Sequence, residues 1–246
     1  TVDRRGHDVP MDLVFTNADG REVALKSFFE DGKPVLLTLN YYRCTMLCSE
    51  MLNGLAESLR SLDWKPGDRF RLVTVSIDPR EGTRLAWGKQ ASYLESLDRP
   101  GAEWNFLTGQ EKDIHALAQA VGYRYKYDSD TDQFAHPPAI MFLSPDGRVM
   151  QYLFGKTFKS RDLKFALMDA SEGKVGSTFE QLVWSCFHLD EETGAYTPFA
   201  MGIMRLGGGL TALILGIVLL FFWRRERRRA SEPVEFTRPE LAEQVS

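Results

Sequence analysis

The run Pro34 to Tyr42, PVLLTLNYY, is apolar and rich in β-formers, and it passes directly into two cysteines four positions apart, Cys44 and Cys48. After them comes a helical pattern with Met51, Leu52, Leu55, Leu59 and Leu62 on one side, closed near Lys65-Pro-Gly67. A run of that kind is a central strand covered on both faces, so the chain must build a layered sheet around it. The strand delivers the cysteines to the amino terminus of a helix.

Other segments fill in the sheet. Met11 to Phe15 and Glu22 to Leu25 flank the turn Asn17-Ala-Asp-Gly20, a hairpin pattern. Phe70 to Ile77 reads as a second buried strand, closed by Asp78-Pro79; Thr83 to Leu97, Gln110 to Val121 and Ser160 to Ala170 read as helices. Trp104 to Leu107 and Tyr123 to Tyr127 read as short strands, and Ala139 to Leu143 and Arg148 to Leu153 flank the turn Ser144-Pro-Asp-Gly147. Strands alternating with helices, then a hairpin and a helix, make an α/β fold with a mixed sheet and flanking helices. A strand feeding a helix that opens on two cysteines points to the thioredoxin-like class.

A different kind of segment follows. Leu206 to Trp223 carries no charge, and Arg224 to Arg229 reads RRERRR, a net +4. Apolar on every side for five turns and stopped by arginines, the run is expected to form one carboxy-terminal transmembrane helix over 200–223, in contact with membrane lipid. The positive-inside rule keeps the arginines cytoplasmic and places the preceding domain outside, in a periplasm or its equivalent. The expected organisation is a thioredoxin-like domain over 1–172, a juxtamembrane connector over 173–199, the span, and a cytoplasmic basic stop and tail over 224–246. A signal peptide is taken to have been removed. The tail from Ala230 carries −3, so with an overall −4 the first 223 residues hold −5, which gives no reason to expect nucleic-acid binding.

At a helix amino terminus, unpaired backbone N–H groups and the helix dipole favour thiolate over thiol. Cys44 and Cys48 there form a reversible disulfide or a clamp for a soft metal such as copper. Three intervening residues place the sulfurs one helical turn apart and favour metal, without excluding redox exchange. His136, in Phe134-Ala-His-Pro-Pro-Ala139, precedes a strand whose leading loop lies beside the cysteines in a thioredoxin-like fold, with Pro138 expected cis. Its imidazole would complete a two-sulfur, one-nitrogen site. Asp78 either starts a turn or orients a ligand, and Arg43 either stabilises the thiolate or is solvated. Cys186 and His188, in Trp184-Ser-Cys-Phe-His188, offer a speculative second site, equally well read as a thiol beside a surface histidine. His7 and His115 read as ordinary residues, and Met51 as core.

The strand into Cys44-x-x-x-Cys48, the segment Val75-Ser-Ile-Asp-Pro79 and His136 eight residues before Ser144-Pro-Asp-Gly147 together resemble the Sco/SenC copper-binding proteins. These are thioredoxin-fold, membrane-tethered factors that assemble the copper A centre of cytochrome c oxidase. The resemblance runs from about Met11 to Ala170. It implies copper, as Cu(I) or Cu(II), on Cys44, Cys48 and His136, with Asp78 as the acidic residue near the metal, and an oxidase subunit carrying the copper A site as partner. The family usually has a proline after each cysteine where this chain has Thr45 and Ser49. The alternative is a thiol–disulfide reductase in which Cys44 attacks and Cys48 resolves, keeping the acceptor's cysteines reduced.

Overall fold

The computed structural model describes residues 1–44 and 47–174, excepting the side chains of Leu47 and Cys48, and positions 208, 209, 211–216, 218–220, 222 and 223. The chain divides into two units, Thr1–Gly176 and Ser177–Ser246.

In the first unit the strands are β1 (Val14–Thr16), β2 (Glu22–Ala24), β3 (Val35–Asn40), β4 (Arg71–Ser76), β5 (Asn105–Gly109), β6 (Lys126–Asp128), β7 (Gln133–Ala135), β8 (Ala139–Leu143) and β9 (Val149–Phe154). The helices are α1 (Leu47–Arg60), α2 (Thr83–Leu97), α3 (Glu111–Ala120) and α4 (Ser160–Ser171). Seven strands form one mixed sheet in the order β2-β1-β5-β4-β3-β8-β9, and β6 and β7 form a separate hairpin. β3 runs parallel to β4, and β4 to β5, while β8 lies antiparallel to β3 with Thr38 opposite Ile140. This is the mixed α/β sheet with flanking helices expected of the thioredoxin-like class.

Alternation along β3 sorts its side chains between the two faces. Leu36 joins a cluster with Met51, Leu52, Leu55 and Leu59 of α1, Ala86, Tyr93 and Leu97 of α2, and Leu163, Ala166, Leu167 and Ala170 of α4. Thr38 shares that face and bonds Thr74 across to β4, Oγ1 to Oγ1 at 2.7 Å, and the Trp104 indole N–H donates to Thr74 Oγ1 at 2.8 Å. The polar pair on a fully buried strand is thereby satisfied. Val35, Leu37 and Leu39 face the other way and are equally buried, as are Ile114, Leu117 and Ala118 of α3. The carboxyl ends of the parallel strands and the amino end of β8 meet at one edge, the side where open α/β sheets hold ligands.

The chain departs from its sequence pattern at Tyr123. The strand expected over Tyr123 to Tyr127 begins at Lys126, because the preceding residues close α3: the Tyr123 N–H donates to Ala118 O at 2.7 Å with Gly122 left-handed at φ +65°, a Schellman-type end. Gly122 also accepts the amino-terminal arm, the Val2 N–H donating to its carbonyl at 2.7 Å, and an added Cβ would run into the Val2 carbonyl oxygen. Gly122→Ala is expected to cost about 1–2 kcal/mol from left-handed strain and to lift the arm. A urea melt and limited proteolysis near residue 5 would read both, and a wild-type cleavage pattern would overturn it.

Pro138 corrects a second expectation. No cis peptide bond occurs among the described residues. The Pro138 carbonyl accepts the Gly155 N–H at 3.0 Å, so the loop enters β8 extended, continuing the β8–β9 ladder.

Among the described residues no helix is long and apolar enough to cross a membrane. Much of 200–223 lies outside them. The described positions of that run are helical, and Leu213, Ile214, Leu215, Leu219, Leu220, Phe222 and Trp223 are exposed.

Candidate metal centre

Cys44 lies just beyond β3 and is buried. Its N–H donates to Tyr41 O at 3.3 Å, and its carbonyl accepts the Ser49 hydroxyl at 2.9 Å. A serine in the first turns of α1 thus holds the loop that bears the first cysteine. Cys48 sits in the first turn of α1; its side chain lies outside the described residues, as do Cys186 and His188. Among the described residues no three His, Cys, Asp or Glu side chains come together in a metal-holding group.

The loop before Cys44 has an anchor that the sequence does not announce. Glu81 is 4% exposed. Its Oε2 accepts the Tyr42 N–H at 2.7 Å and the Ser76 hydroxyl at 2.6 Å, and its Oε1 accepts the Arg43 N–H at 2.7 Å. Charge-assisted bonds to consecutive backbone N–H groups are strong ones. The strand end is tied to β4 as well, the Ile77 N–H donating to Asn40 O at 2.8 Å. The Asn40 side-chain amide, fully buried beside this edge, is bonded at neither its nitrogen nor its oxygen among the described residues.

His136 comes from the loop between β7 and β8. Its ring meets Tyr41, three residues before Cys44, edge-on at 5.9 Å between centroids. Its Nδ1 lies 2.7 Å from the Tyr123 hydroxyl and 3.3 Å from Pro137 O. Burial pushes the imidazole's pKa below its ordinary value, partly opposed by the Pro137 carbonyl, so the neutral ring is favoured. Folding thus carries the imidazole to the edge of the sheet where the cysteine loop begins.

Asp78 is spent on Arg80. The carboxylate is 1% exposed and accepts Arg80 Nε on Oδ1 and Nη2 on Oδ2, both at 2.8 Å, while the Arg80 N–H donates to Oδ1 at 2.9 Å. Burial would raise this carboxyl, but the Arg80 hydrogen bonds outweigh it and hold the group below the usual carboxylate range. The same guanidinium donates through Nη1 to Asp132 Oδ1 at 2.7 Å and lies 5.0 Å over the Tyr127 ring. Phe134 packs on Tyr127 at 5.1 Å and on Tyr41 at 5.4 Å. Asp78 therefore reaches the His136 loop through Arg80 and the β6–β7 hairpin. His7 and Arg43 are exposed, and Met51 is core.

The SCO1/SenC family model matches residues 3–168. The chain belongs to that family. Within SCO1/SenC it is 29% identical over 128 residues to the mitochondrial SCO2 homolog of Bos taurus, a match spanning 49% of this chain and 45% of the bovine protein. Among solved structures, a putative electron transfer protein of Aquifex aeolicus is 25% identical with a TM-score of 0.61, over 69% of this chain and 95% of that one. ScoI of Bradyrhizobium japonicum, solved with copper bound, is also 25% identical, with a TM-score of 0.51 over 66% of this chain and 99% of its own. In this SCO1/SenC chain the matched region holds Cys44, Cys48, Asp78 and His136; Cys186 and His188 fall beyond it.

Proposed function

We propose that this protein binds one copper ion through Cys44, Cys48 and His136 and delivers it to, or prepares, the copper A centre of a cytochrome c oxidase. The observation that carries this is the placement of a half-buried imidazole, its neutral form favoured, against Tyr41 at the mouth of the Cys44 loop. Two thiolates and an imidazole suit Cu(I), and binding needs a deprotonated ring. A ring whose pKa is lowered stays available to the metal to lower pH than an ordinary histidine does. Copper-bound ScoI supports the choice of ion. As cargo, the ion would be passed on by ligand exchange with the partner's own sulfurs.

The proposed organisation is an extracytoplasmic thioredoxin-like domain over 1–172 joined by 173–199 to a single span over 200–223, with 224–246 in the cytoplasm. The helical conformation and exposed apolar side chains at the described positions of the span support it. A tether would confine donor and acceptor to one membrane surface and raise their effective concentration.

The test is copper content and thiolate-to-copper absorption of the full chain in detergent. Wild type should take up one copper per chain. Cys44→Ser and Cys48→Ser should abolish the absorption, and His136→Ala should weaken binding by at least about 10-fold, the scale of a lost ligand or its support. Cys186→Ser should match wild type; lost occupancy would bring Cys186 and His188 into a copper site. Full affinity in His136→Ala, with disulfide reduction by the dithiol intact, would replace the copper carrier by a thiol–disulfide reductase.

A further inference from the structure

We propose that Tyr123 is the positioning residue of His136: its hydroxyl fixes the imidazole as the Nδ1–H tautomer and so presents Nε2 as the ligating nitrogen. This rests on His136 being a copper ligand, as argued above.

The argument is a count of protons. The Tyr123 hydroxyl, on a residue 3% exposed, lies 2.7 Å from His136 Nδ1, 2.9 Å from Leu39 O and 3.0 Å from Pro137 O. It has one proton to give, and the two carbonyls only accept. Were Nδ1 bare, three acceptors would compete for that proton, and Nδ1 would face Pro137 O, at 3.3 Å, lone pair against lone pair. With the proton on Nδ1, the ring donates to the tyrosine oxygen and shares weakly with Pro137 O, while the hydroxyl donates onward to Leu39 O. Each of these four groups then has a partner of the right kind. Which ring nitrogen meets a metal is set by the bond the other one makes, and here Nδ1 is engaged.

The same oxygen also sets a distance. Leu39 lies on β3, five residues before Cys44; Pro137 belongs to the histidine loop; Tyr123 itself is held by the closing turn of α3. One hydroxyl thus joins the strand that carries the cysteines to the loop that carries the imidazole, so ring direction and ring placement are fixed together.

The experiment uses the full chain in detergent, metal-free with its thiols reduced and labelled with 15N at its four histidines. Long-range proton–nitrogen spectra identify each ring's tautomer, and His136→Ala assigns the His136 signals. Wild type should show His136 as Nδ1–H alone. Tyr123→Phe, which keeps the ring, should give a mixture of tautomers, and its copper affinity should fall about 10- to 100-fold, the range for losing a ligand's hydrogen-bond partner, with thiolate-to-copper absorption retained. Tyr125→Phe, two residues on, should change neither. An Nε2–H ring in wild type, an unchanged tautomer in Tyr123→Phe, or an equal disturbance by Tyr125→Phe would overturn the proposal. If the tautomer shifts as expected while wild type, Tyr123→Phe and His136→Ala bind copper alike, Tyr123 stands as the positioning residue and the copper role of His136 falls.

Discussion

Glu81→Ala is expected to destabilise the protein by about 3–5 kcal/mol, the scale of removing a buried charged partner and stranding the groups it satisfied. Three donors converge on that carboxylate: the Tyr42 and Arg43 backbone N–H groups and the Ser76 hydroxyl. A side chain 4% exposed leaves little room for water to replace it. Glu81→Gln keeps the volume but turns one acceptor into an NH2 group facing N–H donors, so it should recover only part of the loss. Glu81→Asp is one methylene too short to reach both backbone groups. Chemical unfolding in detergent reads the stability; a Glu81→Ala midpoint equivalent to less than about 0.5 kcal/mol, the range of an ordinary surface change, would show that the loop stands without its anchor. Because the loop leads into Cys44, copper affinity should fall in the same variants although every proposed ligand is still present.

Glu81 also shows what a sequence hides. In Asp78-Pro-Arg-Glu-Gly82 an acidic residue after a turn reads as solvated, and nothing local says that it accepts from two N–H groups 38 and 39 residues earlier. The strand, cysteine and helix order was legible because it rests on short-range pattern: β3 is a short, mostly apolar run, and α1 keeps its helical spacing. α2 falls on the expected residues, Thr83 to Leu97, because Gly82 and Asp98 interrupt the pattern at either end. Hairpin partners could be read from their turns, β1 with β2 and β8 with β9, but partners distant in sequence could not; no feature of Val14–Thr16 says that it also pairs with β5. The β6–β7 hairpin gave only a partial signal: the strand read over Tyr123 to Tyr127 overlaps β6, but Gln133–Ala135 went unread, since strands as short and exposed as Lys-Tyr-Asp and Gln-Phe-Ala do not alternate. His136 was legible only through the cysteines, which made a lone loop histidine worth placing. Tyr123 stayed hidden because its use depends on a contact across 84 residues, to Leu39.

Arg80→Ala is the second large effect, and it reverses the direction in which Asp78 makes stability depend on pH. In the native protein Asp78 is buried, which pulls its pKa up, and hydrogen-bonded by Arg80, which pulls it down further than burial raises it. A carboxyl held below its unfolded value of about 3.9 contributes stability that is complete above that value and is lost as pH falls through the folded pKa. Without Arg80 the burial acts unopposed and the folded pKa moves above the unfolded one. The charged form then destabilises the fold at neutral pH, and acid relieves it. Removing Arg80 leaves the buried Asp78 charge without its partner, although solvent screening at a guanidinium 44% exposed on its side chain makes the loss smaller than for a fully enclosed pair. The gap between wild type and Arg80→Ala should therefore be widest near neutrality and narrow as pH falls through the raised carboxyl pKa toward about 4. A gap that stays constant over that range would mean that Arg80 acts only through Asp132 and Tyr127 on the hairpin. Arg80→Lys should sit between the two, since an ammonium keeps the charge but cannot make the two-pronged contact with both Asp78 oxygens. As the hairpin also leads into His136, Arg80→Ala should weaken copper binding through the imidazole while leaving the thiolate absorption in place, a pattern that general unfolding would not give.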